Sequence, residues 1–324
     1  MLGETFEIVQ PNYRFLAEKI QHNPDTINAF CLEGRGYRCY SFSRPQPKFR
    51  LNGGRGGLTM NQQGTFDVHF EKYNEDISIV RPTLLIQNII FGGIYVDMEG
   101  LSIGVNHKTG ERFEVTFFPR KSTTEQSRIS GKFFDAHGNL KITLDGSWLN
   151  EIRLTTVDTG VTETAWQEPP LIPNAHLQYY FDYDSILMNY VCEDMKDNIA
   201  PTDSRFRNDQ RYYEEGQMEE AEIEKVAVEE RQRRTRRLVD EGKMEAPRPR
   251  FFRKVEHPYV RNEVMQTFED PPIYYELIDD DSGYWQRRNR QDWDDLPDLW
   301  GLKEDKYDNI HTYIESSKFV SFTN

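Results

Sequence analysis

A chain of 324 residues with 37% hydrophobic and 13% aromatic side chains is long enough to bury a sizeable core, as one large domain or two. Its formal net charge of −14 argues against a nucleic-acid binder as a whole and against strong nonspecific adhesion to anionic lipid. Cys31, Cys39 and Cys192 are few, odd in number and without metal-ligand spacing, which fits a reducing compartment, with the cytoplasm as the default; the seven histidines contain no metal-binding pair.

The opening residues, Met1 to Gln10, have neither a basic segment nor a long apolar run, so no signal peptide is expected. Gly53-Gly54-Arg55-Gly56-Gly57 lacks the Gly-Lys-Ser/Thr ending of a phosphate loop and reads as a flexible hairpin connection. From Gly64 to about Leu154 strand follows strand. Phe66, Val68 and Phe70 alternate with Asp67 and His69; Phe113, Val115 and Phe117 with Glu114 and Thr116; Leu140, Ile142 and Leu144 with Lys141 and Thr143. One face is apolar and the other polar. Turn signals at Lys108-Thr109-Gly110 and Ala136-His137-Gly138-Asn139 suit a meander or barrel of antiparallel strands. The most apolar stretch, Pro82 to Val96, is broken by Gln87-Asn88 and Gly92-Gly93 and is too short to span a bilayer.

Inside this region Gly100-Leu101-Ser102-Ile103-Gly104 satisfies the G-x-S-x-G pattern of a nucleophile elbow, which makes a serine esterase using Ser102 a competing reading. An elbow needs a strand, a sharp turn and a helix, and here the pattern runs on into another alternating strand. Phe133-Phe134-Asp135 lies between a strand and a turn and has no acidic tract before it, so burial of the two rings is expected rather than receptor binding. A Pro-rich link from Glu168 to Pro173 marks a boundary. Tyr179 to Glu193 then reads as a mixed, helical segment.

Pro201 to Arg237 is the distinctive stretch. A turn-like Pro-Thr-Asp-Ser leads into a charged segment free of Gly and Pro after Gly216, which predicts a long helix. On it Lys225, Glu229 and Arg233 recur every four residues, share one face and span about 12 Å, two cations flanking one carboxylate. Spacing alone gives a solvated salt-bridge ladder. Arg231, Arg233, Arg234, Arg236 and Arg237 form one basic cluster, and Arg287, Arg288 and Arg290 a second. Asp279-Asp280-Asp281 lacks calcium-loop spacing and reads as a solvated loop.

The wording of the stretch resembles the C-terminal signature of the oxysterol-binding protein family: Pro201 to Arg205, the acid-Gly step Glu215-Gly216, and then Lys225, Glu229 and Gln232-Arg233. Leu2 to Glu7 is similar to the family's L-G-E-T-F-E, and Glu18 to Phe30 to a degraded form of its double-histidine phrase, with His22 and Pro24 retained and Asn23 and Asp25 in place of the second histidine and second proline. Phrases at Pro247 to Phe252 and Gly283 to Trp300 match as well. The resemblance implies an α+β, mainly β domain: an incomplete antiparallel β-barrel with a lipid tunnel over residues 1–170, a C-terminal helical subdomain over 171–300, and a tail from 301 to 324. The family's lid and lysine-bearing N-K-P segment are expected ahead of the first phrase and are absent from this chain.

The implied function is lipid binding and transfer without enzymatic chemistry or a cofactor: a sterol or phospholipid is carried and exchanged for phosphatidylinositol 4-phosphate, by a cytoplasmic protein in transient peripheral contact with membranes. Lys225, Glu229, Arg233, His22 and Asn23 are the implied phosphoinositide headgroup residues. The alternative is a truncated paralogue serving as a non-transferring lipid sensor or interaction module.

Overall fold

The computed structural model describes residues 1–51, 55–122, 126–245, 248–256 and 273–300. Gly53 and Gly54 of the glycine run, Pro247 and the tail from 301 lie outside them. Strands occupy Thr5–Val9 (β1), Tyr13–Gln21 (β2), Ile27–Gly34 (β3), Tyr37–Ser43 (β4), Pro45–Arg50 (β5), Gly57–Gln62 (β6), Thr65–Phe70 (β7) and Glu75–Val80 (β8). They continue through Thr83–Gln87 (β9), Tyr95–Asn106 (β10), Arg112–Phe117 (β11), Arg128–Phe134 (β12), Leu140–Ser147 (β13), Glu151–Thr156 (β14) and Thr162–Gln167 (β15). These fifteen form one open antiparallel sheet in the order β1-β2-β3-β4-β7-β8-β10-β11-β12-β13-β14-β15, with β5, β6 and β9 attached through β10. Among the described residues no helix is long and apolar enough to cross a membrane.

The chain divides into two compact units, residues 8–188 with 252–277, and 1–7 with 189–251 and the region from 278. Relative to a cut at 170, this division moves residues 1–7 to the helical unit, keeps 171–188 with the sheet and returns to it the pair Phe252–Glu256 (β16) and Ile273–Leu277 (β17). The helices are Tyr183–Ile186 (α1), Glu193–Lys196 (α2), Asn208–Glu214 (α3), Met218–Asp240 (α4) and Tyr284–Arg290 (α5).

The predicted turns form, for identifiable reasons. The Asn106 carboxamide oxygen accepts from Lys108 N (3.0 Å) and Thr109 N (3.2 Å), and Gly110 closes the turn at φ +77°. Asp135 likewise accepts from His137 N and Asn139 N, both at 2.9 Å. The sheet begins far earlier than residue 64, because β2 and β3 carry apolar side chains on both faces and the period-two signal is blurred there. Leu16, Ile20, Ile27, Ala29 and Cys31 are buried on one face while Phe15, Phe30 and Leu32 occupy the other. Tyr179 to Glu193 is not a continuous helix: Tyr179 and Tyr180 sit at φ +53° and +60°, and only the single turn α1 follows, capped by Asp182 accepting from Ser185 N at 2.8 Å.

Directly opposed residues of an antiparallel ladder share a face. Following the register from β2 to β13 gives one row: Ala17, Phe30, Ser41, Phe66, Ile79, Gly104, Phe113, Phe133 and Ile142. Small residues alternate with rings. Ser41 leaves Phe30 and Phe66 in contact across it, with ring centroids 6.4 Å apart. Gly104 lets the Phe113 ring lie across it, and Phe113 meets Phe133 at 5.4 Å. Val115, Ile129 and Leu144 form a buried core beside the row, packed by Phe117, Trp148, Ile152 and Leu154.

The opposite face is apolar and buried across β2–β4, at Leu16, Ala29, Cys31 and Phe42, and turns polar toward β7 and β8. Tyr40, Asp67 and Ser78 stand in one row and Arg38, His69 and Asp76 in the next. With Tyr274 and Glu276 of β17 these residues line a cavity of about 430 Å³. The Asp67 carboxylate accepts from the Thr65 and Ser78 hydroxyls, and His69 pairs with Asp76 at 2.8 Å.

A Cβ at Gly104 would stand 2.1 Å from the Phe113 ring. Gly104→Val should therefore evict that ring from Phe133 and cost about 1–3 kcal/mol, read as a lower thermal midpoint. Adding Phe113→Ala should make the valine nearly neutral in a double-mutant cycle; additive losses would show that the ring is not what Gly104 accommodates.

Candidate functional site

The unit containing residues 1–7 is held by its two signature phrases. Thr5 and Asp203 form a parallel bridge, Thr5 N donates to Thr202 O at 3.0 Å, and the two threonine hydroxyls meet at 2.9 Å. Glu7 and Asp203 are fully buried and Arg205 nearly so. Asp203 accepts from Glu7 N (3.2 Å) and Arg205 N (2.9 Å), the second of these capping the turn Ser204–Phe206. The Arg205 guanidinium donates to Glu7 O and lies 4.5 Å over the Phe6 ring. The Glu7 carboxylate takes both oxygens to Arg288 Nε, at 2.7 and 3.0 Å. Two acids and two arginines thus form a paired set, buried except for the partly exposed Arg288 and walled by Tyr284, whose ring meets Phe251 (4.9 Å) and Trp285 (5.1 Å) edge to face.

That anchor leads directly into the helical hairpin. Arg207 holds Asp209 through two hydrogen bonds (3.0 and 2.7 Å) and Glu4 at 3.2 Å. The acid-Gly step ends α3: Gly216 at φ +77° sends its N–H to Tyr213 O while Gln217 N reaches Tyr212 O. Helix α4 then runs 23 residues as predicted, and Gly242 at φ +68° ends it with the same pair of bonds, Gly242 N to Val239 O and Lys243 N to Leu238 O. Its buried seam is Ala221 and Val228; Val228 packs with Leu299, Trp300, Met1 and Phe206.

Lys225, Glu229 and Arg233 flank this seam on one side, with the Lys225 and Arg233 side chains 52% and 55% exposed. Glu229 accepts from Arg233 at 3.0 Å, and Glu230 also pairs with Arg233. Lys225 pairs one turn back, with Glu222 at 3.2 Å. The exposed cations can therefore exchange surface carboxylates for a ligand at little cost, since solvated pairs of this kind contribute only about 0–1 kcal/mol.

His22 and Asn23 belong to the other unit, at the turn after β2. His22 is half-buried, Asn23 exposed, and the Asn23–Pro24 peptide bond is cis. Asp25, standing where the family has a second proline, accepts from Arg44 Nε at 2.9 Å and Nη2 at 2.6 Å. The turn is thus held by an ion pair instead of a second ring.

Ser102 is not a nucleophile elbow. It lies within the continuous strand β10, buried, and donates to Val80 O at 2.7 Å. Phe133 and Phe134 are half-buried in β12; Arg112 covers the Phe134 ring at 4.9 Å. Asp279, Asp280 and Asp281 are exposed, as expected of a solvated loop.

A family model described as oxysterol-binding protein matches residues 1–289. Oxysterol-binding protein homolog 3 of Saccharomyces cerevisiae is 28% identical over 305 residues, covering 93% of this chain and 28% of the relative. Oxysterol-binding protein-related protein 1B of Arabidopsis thaliana is 29% identical over 308 residues, covering 93% and 57%. The chain thus spans well under two thirds of these relatives. Among solved structures, the Osh3 ORD in complex with PI(4)P from Saccharomyces cerevisiae is similar with a TM-score of 0.75 and 27% identity, over 93% of this chain and 74% of that one. The Osh1 ORD in complex with cholesterol gives 0.77 and 25%, over 92% and 71%.

Burial pushes the Asp203 carboxyl up to about 6, with Arg205 and the backbone N–H groups pulling the other way. Its folded value lies above the unfolded one, so its contribution to stability is present below about pH 4 and is lost as pH rises through about 6, an effect on the order of 3 kcal/mol. Asp203→Asn lacks this titration and leaves Arg205 without its counter-charge. The advantage of the parent chain over Asp203→Asn, read from urea midpoints, should shrink from pH 4 to pH 7; an advantage that grows instead would mean that pairing with Arg205 outweighs burial.

Proposed function

The chain belongs to the oxysterol-binding protein family, and on that premise we propose that it carries one membrane lipid at a time, a sterol or a phospholipid, and exchanges it for phosphatidylinositol 4-phosphate. The observation that carries this reading is the row across nine strands, Ala17 to Ile142, whose apolar side chains stay partly exposed along its whole length. Apolar side chains that remain partly exposed in a row this long suit a lipid's hydrocarbon, at roughly 25 cal/mol per Å² removed from water. The relatives solved with PI(4)P and with cholesterol support both ligand classes.

Lys225 and Arg233 are the proposed cations for the phosphorylated inositol headgroup, with Glu229 orienting Arg233. His22 and Asn23, in the family's histidine phrase, are the second set to substitute. Contact with membranes is peripheral and transient in this reading.

Native mass spectrometry after exposure to liposomes of phosphatidylcholine, ergosterol, phosphatidylserine and phosphatidylinositol 4-phosphate should show a single bound lipid per chain. A chain that emerges empty from every mixture would end the carrier reading. Charge-assisted hydrogen bonds contribute about 1.5–3 kcal/mol, so Lys225→Ala or Arg233→Ala should weaken phosphatidylinositol 4-phosphate extraction at least about tenfold while leaving sterol binding unchanged. Equal loss of both ligands would assign these residues to folding instead.

A further inference from the structure

Strand β10 joins two parts of the sheet. Residues Gly100 to Asn106 pair with β8 and β11, whereas Tyr95 to Glu99 pair with β9, and the strand bends at Gly100, whose φ of +101° disfavours any side chain. The register through β5, β6, β9 and β10 places Phe49, Leu58, Ile86 and Val96 in one row and Pro47, Met60, Leu84 and Met98 in the next on the same face. Phe49 and Val96, on the outer strands of this group, are each 56% exposed.

Beyond these rows the two hairpins project apolar side chains into solvent. Ile90, Phe91 and Ile94 are 60%, 74% and 65% exposed, and Leu51, just past β5, is 68% exposed. The projections are held together. Ile89 N donates to Gly56 O and Ile90 N to Arg55 O, at 3.2 and 3.0 Å, and the Asn88 carboxamide donates to Gly93 O at 3.0 Å, closing the turn that carries Phe91. A fixed apolar projection of this kind marks an interaction surface.

Its charge says with what. Acids make up 54 of the 324 residues, yet residues 45–62 and 82–96 contain none. Lys48, Arg50 and Arg55 are exposed in the first of these stretches, and the second carries no charge. The nearest carboxylate along β10 is Asp97, which is buried and committed to Arg120 N at 2.7 Å and Met98 N at 2.9 Å. Exposed apolar side chains flanked on the β5–β6 side by cations, in two acid-free stretches, complement the interface of an anionic bilayer.

We propose that the β9–β10 turn and the described residues it adjoins, the end of β5 and Arg55–Gly56, form a membrane-docking wedge: Leu51, Ile90, Phe91 and Ile94 enter the interfacial region of an anionic bilayer while Lys48, Arg50 and Arg55 meet its headgroups. The proposal rests on the lipid-carrier reading for its purpose, since a carrier must touch the surface it loads from. It adds where the chain touches and which surface it prefers.

Vesicle flotation of the whole chain tests it, with phosphatidylcholine alone and with phosphatidylcholine plus phosphatidylserine. The parent chain should float with the anionic vesicles, weakly with the neutral ones, and less as salt rises. Phe91→Asp with Ile94→Asp should lower the bound fraction at least about tenfold, and Arg50→Gln and Arg55→Gln about fivefold each. These side chains are exposed, and circular dichroism should show unchanged folding. Lipid uptake from detergent-dispersed lipid, read by native mass spectrometry, should match the parent. Tip-dependent flotation by a chain that holds no lipid would end the carrier reading and keep the docking surface. A parent chain that does not float, or tip variants that float as the parent does, would overturn the wedge. So would concentration-dependent dimerisation that the tip substitutions abolish, because it would assign the surface to a second copy.

Discussion

Two acids and two arginines, Glu7, Asp203, Arg205 and Arg288, with three of the four almost completely removed from water, form the contact on which the helical unit depends. Buried pairs stabilise little in net terms, because desolvation offsets most of their attraction, but separating one is costly. Their consequence is therefore positional. Glu7 meets Asp203 through the backbone and Arg288 through the side chain, joining segments about two hundred and eighty residues apart in the chain.

From that anchor the rest of the unit follows by short local steps. Asp203 caps the turn that carries Arg205, Arg207 ties the start of α3 to Glu4, and Gly216 stops α3 so that α4 can start two residues later. The signature is accordingly two kinds of residue in one string. Its Pro-Thr-Asp-Ser-Arg part is buried scaffold, and its Lys225 to Arg233 part is exposed cation on a helix whose place the scaffold sets.

In the sheet the governing constraint is the separation of faces. On one side Ser41 stands between the rings of Phe30 and Phe66, and Gly104 leaves room for the Phe113 ring, which packs directly on Phe133. The polar side satisfies its own groups, Asp67 with two hydroxyls and His69 with Asp76. A row of partly exposed apolar side chains and a cluster of mutually satisfied polar groups therefore coexist on opposite sides of one layer, and β10 continues past Gly100 to pair with the hairpin group.

Alternation at Phe66 to Phe70, Phe113 to Phe117 and Leu140 to Leu144, the turns at Lys108 and His137, and the helix after Gly216 were all determined by sequence, because each depends on period, turn chemistry or absence of breakers within a dozen residues. Where burial on both faces erased the period, in β2 and β3, local reading missed the strands. It also expected a helix at Tyr179 to Glu193, where positive φ at Tyr179 and Tyr180 decides otherwise. Spacing alone placed Glu229 between two cations, yet Lys225 turns to Glu222, a choice of rotamer and not of register. Only tertiary structure could show that Ser102 is a mid-strand residue bonded to Val80, that Asp203 is deep enough for burial to raise its carboxyl, and that Gly56 and Ile89 join two hairpins. Each of these rests on contacts between residues tens to hundreds of positions apart, and a one-dimensional pattern carries no term for them.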